Sequence, residues 1–120
     1  MKLKTLGTAF AAVFILIGLL GCVPALTPNH LLLGIFQVDT IHNLVHLLSG
    51  IVAAAAVLSK NTKYIRMYFQ IFGVVYALVT VLGFILGGNI FLFMVNTADN
   101  LLHLVIAAAA LTIGFALKEE

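Results

Sequence analysis

Four long apolar runs divide this chain. They extend from Leu6 to about Val23, from Thr40 to Leu58, from Tyr64 to Leu86 and from Thr97 to Leu117. None shows the strict alternation of a barrel strand, which needs only ~10 residues per crossing. Each has about 18 to 23 residues, the length a helix needs to cross a ~30 Å hydrocarbon core. Inside lipid every backbone polar group must be bonded internally, and a helix achieves this within one segment. The pattern therefore predicts an all-α membrane protein: a four-transmembrane-helix bundle, with residues 1–120 as a single domain and helices over about 6–23, 40–58, 64–86 and 97–117.

Composition strengthens that reading. Of the 120 residues, 63% are hydrophobic and 8% charged, and the mean hydropathy is +1.22. A soluble domain carries about 25% charged residues. So few charges cannot cover a water-facing surface, so a bilayer is the expected partner. A net charge of +2 is too small to point to nucleic acid. The lone Cys22 excludes an internal disulfide.

The charges also orient the chain. Lys2, Lys4, Lys60, Lys63, Arg66 and Lys118 all lie before the first run, between the second and third, or after the fourth. By the positive-inside rule both termini are expected in the cytoplasm, as in a multi-pass protein of the cell inner membrane. "LLGC" at Leu19 to Cys22 looks like a lipoprotein cleavage box. The apolar run before it exceeds the 7–15 residues of an ordinary signal core, and Leu20 fits the box poorly. Retention of the first helix is expected.

The polar residues are not scattered. "VDTIHNLVHLL" (Val38 to Leu48) returns as "VNTADNLLHLV" (Val95 to Val105), 57 positions later, with six of eleven residues identical. Two helix-pair repeats follow, related by an axis along the membrane normal. Asp39 and Asn96 suit helix N-caps, and Asp99 falls where a capping box needs its acid. His42 stands at the Asp99 position of the first copy, near the interface, where solvation is its ordinary fate. Asn43, His46, Asn100 and His103 lie deeper, on one face of each helix. That stripe continues as Gly50, Ala53 and Val57 in the second helix and as Ala107, Ala110 and Gly114 in the fourth. Small residues allow membrane helices to approach closely. The stripe therefore predicts that the second and fourth helices pack face to face, with Asn43 near Asn100 and His46 near His103. Tyr64 and Tyr68 read as an interfacial pair and Tyr76 as a packing residue; Gln70 and Thr80 read as helix-contact groups.

The segments "GCVPALT", "LLLGIFQVDTIHNLVHLLSG", "GVVYALVTVLG" and "VNTADNLLHL" give the chain a resemblance over nearly its whole length. It resembles a bacterial family of small four-helix membrane proteins known only as a domain of unknown function. That resemblance implies a fold and a membrane location, and no substrate, cofactor or catalytic residue.

Three function classes follow. The first is a structural or interaction protein, with Asn43, His46, Asn100 and His103 as an interhelical polar cluster. It leaves open a homo-oligomer or a membrane-protein partner and needs no cofactor. The second is a cofactor protein. His46 and His103 could ligate haem iron axially, or His42, His46 and His103, helped by Asp99, could hold Zn²⁺ or Cu²⁺. The third is a proton or solute pathway, which the inner halves of the helices lack ionisable groups to continue. No hydrolase or transferase constellation is present, so no enzyme activity is expected.

Overall fold

The computed structural model describes residues 2–118. Four α-helices dominate it: α1 (Lys2–Leu20), α2 (Thr40–Leu58), α3 (Thr62–Ile85) and α4 (Thr97–Phe115). All four are long and apolar enough to cross a membrane, which makes the chain a multi-pass membrane protein. α1 starts before its apolar run, with Leu3 already in the core, and ends before Cys22. Pro24 opens a single helical turn, Pro24–Leu26, and Pro28 opens a tight turn, Pro28–His30, in which Asn29 and His30 take left-handed backbone angles. Proline fits a first turn because it lacks only an N–H that would be unsatisfied there.

The helices associate as two tight pairs, α1 with α2 and α3 with α4, with lighter contact of α3 against α2 and α1. Small residues explain the tight seams. A Cβ on Gly50 would lie 2.9 Å from the Ile15 backbone nitrogen and 3.0 Å from the Ala11 carbonyl oxygen. One on Gly114 would lie 2.8 Å from the Gln70 backbone nitrogen, and one on Gly73 3.0 Å from that of Leu111. Lipid tails are as apolar as the helices, so close van der Waals contact carries much of the association. The small stripe of α2 thus meets α1, not α4, and that of α4 meets α3. The expected backbone packing of α2 on α4 is corrected accordingly: these two helices meet through long side chains across the bundle.

Most buried positions repeat with the same spacing in both pairs, Ser49, Tyr68 and Gly114 being exceptions. Leu3, Gly7, Ala11, Phe14 and Gly18 of α1 correspond to Ile65, Phe69, Gly73, Tyr76 and Thr80 of α3. His42, Asn43, His46, Gly50 and Ala53 of α2 correspond to Asp99, Asn100, His103, Ala107 and Ala110 of α4. Phe14, Tyr76 and Ala107 fill one layer of the core. Leu3, Ala11, Ala53, Ile65, Phe69 and Ala110 belong to the other.

At the end of the bundle away from Lys60 and Lys63, the two connecting loops fold over the helix starts. The first contains a short hairpin, β1 (Leu31–Leu32) against β2 (Phe36–Gln37), antiparallel. The second closes by a bridge between Asn89 and Met94. Neither was legible from hydrophobic runs. Leu32, Val38, Ile90 and Val95 are buried beneath them. The loops also interlock: Met94 N–H donates to Asp39 Oδ2 (3.0 Å), and Asn96 Nδ2 donates to the Ile35 carbonyl (2.8 Å).

Candidate functional site

The helix starts carry the first part of the polar motif. Asp39 caps α2, its Oδ1 accepting from His42 N–H at 2.8 Å. Asn96 and Asp99 form a capping box on α4: Asn96 Oδ1 accepts from Asp99 N–H (2.9 Å) and Asp99 Oδ2 from Asn96 N–H (3.0 Å). These bonds satisfy backbone donors that the first helical turn leaves free.

His42 is not solvated. Only 1% of it is exposed, because the second loop lays Phe93 over its ring, stacked at 4.7 Å between centroids. His46 and His103 are equally enclosed. The three rings form a triangle with centroid separations of 4.5 Å (His42–His46), 5.5 Å (His42–His103) and 5.8 Å (His46–His103). Taking one nitrogen from each, the three atoms lie within 4.8 Å of one another. Phe14 lies beside His46 and Tyr76 beside His103.

Buried polar atoms are ordinarily hydrogen-bonded, because leaving one bare costs ~1–3 kcal/mol. Here both ring nitrogens of His42, both of His103 and Nδ1 of His46 are buried without a hydrogen-bond partner among the described residues. The carbonyls of Gln37 and Met94 lie beside the His42 ring, outside hydrogen-bonding geometry. Among the described residues, none of these five nitrogens bonds to another histidine.

The two asparagines go elsewhere. Asn43 Nδ2 donates to the Gly21 carbonyl at the end of α1 (2.8 Å), and Asn100 lies against Gly83 of α3. The expectation that they meet is corrected: each turns toward the other helix of its own pair. Asn43→Leu and Asn100→Leu should accordingly be additive within about 0.5 kcal/mol in thermal unfolding in detergent. Coupling well beyond that would contradict these contacts. Asp99 also stands outside the histidine triangle. Its carboxylate serves the capping box, although it lines the same small cavity as His46.

Around the site, Tyr68 is buried rather than interfacial and donates its hydroxyl to the Ser49 carbonyl (3.0 Å). Tyr76 and Ser49 hydroxyls lie 2.8 Å apart. Gln70 joins α3 to α4 through the Gly114 carbonyl (2.9 Å), whereas Thr80 bonds within its own helix to Tyr76 (2.8 Å). Ser49 was missed as a site neighbour because nothing in its local spacing announces a partner on another helix.

Comparison with family models gives a match over residues 4–116 to a family described as a domain of unknown function (DUF4383). The chain belongs to that family. No curated protein and no solved structure matches it. The match extends across all four helices and assigns none of their residues a role.

Proposed function

We propose that this protein binds a transition-metal ion, Zn²⁺ or Cu²⁺, through His42, His46 and His103 at the extracytoplasmic end of the bundle. The observation that carries the reading is the convergence of three buried imidazoles, with both ring nitrogens of His42 and His103 and Nδ1 of His46 buried without a hydrogen-bond partner among the described residues. Imidazole nitrogen is a good ligand for both ions. Three such nitrogens on one Zn²⁺, at ~2.0–2.1 Å, lie about 3.3 Å apart. Small ring rotations, unopposed by hydrogen bonds, would close the 4.8 Å spread to that value. The Gln37 and Met94 carbonyls beside His42 could take the proton of its non-ligating nitrogen, an arrangement common around metal-bound histidine. The Asp99 carboxylate would add nearby negative charge without being a ligand.

Haem fits less well. An axial pair formed by His46 and His103 needs a flat slot between them, and His42 closes the triangle instead. The purely structural polar cluster is the second reading, and the unpartnered imidazoles weigh against it. The matched burial spacing of the two helix pairs supports a duplicated unit, with the site where its two copies meet. The role proposed is binding rather than catalysis.

Metal analysis of detergent-purified protein tests the reading. One ion per chain is expected after Zn²⁺ loading, with thermal stability rising by about 2.7 kcal/mol when free ion reaches a hundred times Kd. Substoichiometric metal with no stabilisation would end it.

The same proposal includes orientation: the basic residues favour cytoplasmic termini in the inner membrane. In a Cys22→Ala background, a cysteine placed at Asn61 should react with impermeant maleimide only after cells are opened. Labelling from outside intact cells would invert the topology.

A further inference from the structure

A cavity of about 230 Å³ runs from the lipid-facing side between α2 and α3 to the histidine triangle. Val45 and Leu48 of α2, Phe72, Val75 and Val79 of α3, and Phe93 form its apolar wall, and all three histidines, Tyr76 and Ser49 also line it. Leu48 and Val75 are 60% and 44% exposed, so its mouth opens toward hydrocarbon rather than toward water. α2 and α3 make lighter contact than the tight pairs, which is why the gap exists.

The chemistry of the occupant follows from the walls and the inner end. A charged molecule is costly in hydrocarbon, so a ligand entering by this mouth is neutral. A cavity of ~150 Å³ lined by aliphatic and aromatic groups holds a benzene ring, and 230 Å³ leaves room for a substituted one. Phe72, Phe93 and Tyr76 offer ring edges and faces to it. The polar end asks for a hydroxyl, which can both donate and accept. Ser49 spends its proton on the Val45 carbonyl (2.8 Å), so in the Ser49–Tyr76 pair Tyr76 donates and keeps only acceptor capacity. A neutral imidazole has one nitrogen lone pair and one N–H. Both ring nitrogens of His42 and His103 and Nδ1 of His46 are sealed as well as unpartnered, which leaves His46 Nε2 as the ring nitrogen for a ligand in this cavity to meet.

We propose that this lateral cavity binds a single-ring phenol drawn from the lipid phase, its ring between α2 and α3 and its hydroxyl at the histidine triangle. The cavity stands apart from the metal reading and rests on it only for what the oxygen meets. In metal-free protein the hydroxyl donates to an imidazole. Were an ion held by the three histidines, the oxygen would be placed to serve as a further ligand to it.

The test is ¹⁹F NMR of 4-fluorophenol with the full chain in detergent, corrected for partition into empty micelles. Chelated and Co²⁺-loaded samples are compared. Saturable one-to-one binding to the chelated sample is expected, at least ten-fold tighter than that of 4-fluorotoluene, which lacks the hydroxyl. Val75→Trp and Val79→Phe, which fill the cavity from two positions, should each weaken it at least ten-fold. Binding that persists without Co²⁺ uptake would sink the metal reading and leave this one standing. Stoichiometric Co²⁺ without saturable phenol binding would do the reverse. Equal affinity for 4-fluorotoluene would overturn the proposal even if neither variant folded, and so would undiminished binding in both folded variants.

Discussion

His46→Ala and His103→Ala should each abolish stoichiometric metal binding in detergent, whereas His30→Ala should leave it intact. Each of the first two removes one of three converging imidazoles, and two imidazoles fall short of the three protein ligands that an open zinc site keeps. Loss of an outer-shell partner already costs ~10–100-fold in affinity, so loss of a ligand should cost about 100-fold or more. His30 ends an exposed single turn on the first loop and does not belong to the triangle. Binding by the unaltered protein should also weaken as pH falls, because a protonated imidazole cannot ligate. Equilibrium dialysis against Zn²⁺ with metal analysis measures all three variants. Unchanged stoichiometry in both His46→Ala and His103→Ala would remove the metal centre from consideration.

Gly50→Leu should lower stability by about 3 kcal/mol, the upper part of the usual range for overpacking. The first added carbon would already sit 2.6 Å from Ile15 Cγ1 and 2.9 Å from the Ile15 backbone nitrogen. Backbone cannot swing aside as a flexible side-chain tip can, so α1 and α2 must separate. Leu48→Ile, on the lipid-facing side of the same helix, should be nearly neutral. Thermal unfolding in one detergent compares them. If Gly50→Leu kept the stability of the unaltered protein, the α1–α2 seam described here would be wrong.

Local rules make some of this chain readable without its fold. Run length and scarcity of charge are enough to place four membrane helices, because lipid leaves the backbone few alternatives. A helix cap closes within one turn, so the spacing of Asn96 and Asp99 already describes the bonds that α4 makes at its start. The boundaries moved where composition is a poor guide. α1 reaches back to Lys2 because Leu3 has a core to join, although the lysines around it belong to no apolar run.

Partnership between helices is another matter. A stripe of small residues states that some helix comes close and not which one. Gly50 and Ala107 could have met each other on their spacing alone, yet Gly50 meets Ala11 and Ile15, and Ala107 packs with Phe14 and Tyr76. The relation between α1 and α3 was hidden for a similar reason. Phe14 and Tyr76, or Gly18 and Thr80, occupy matching buried positions with different side chains, so identity between the segments is low while spacing is preserved.

Periodicity and composition dictate the elements, their membrane setting and which polar residues share a helix face, because each of these depends on neighbours within a few turns. The histidine triangle depended on the fold. His42 lies at a helix start, where solvent is the default. It is buried because a loop fifty residues away in sequence brings Phe93 across it and hooks Met94 onto Asp39. The asparagines, one step along the same helices, turn away to α1 and α3. Contacts between distant segments are set by how whole helices pack, and no local pattern carries that information.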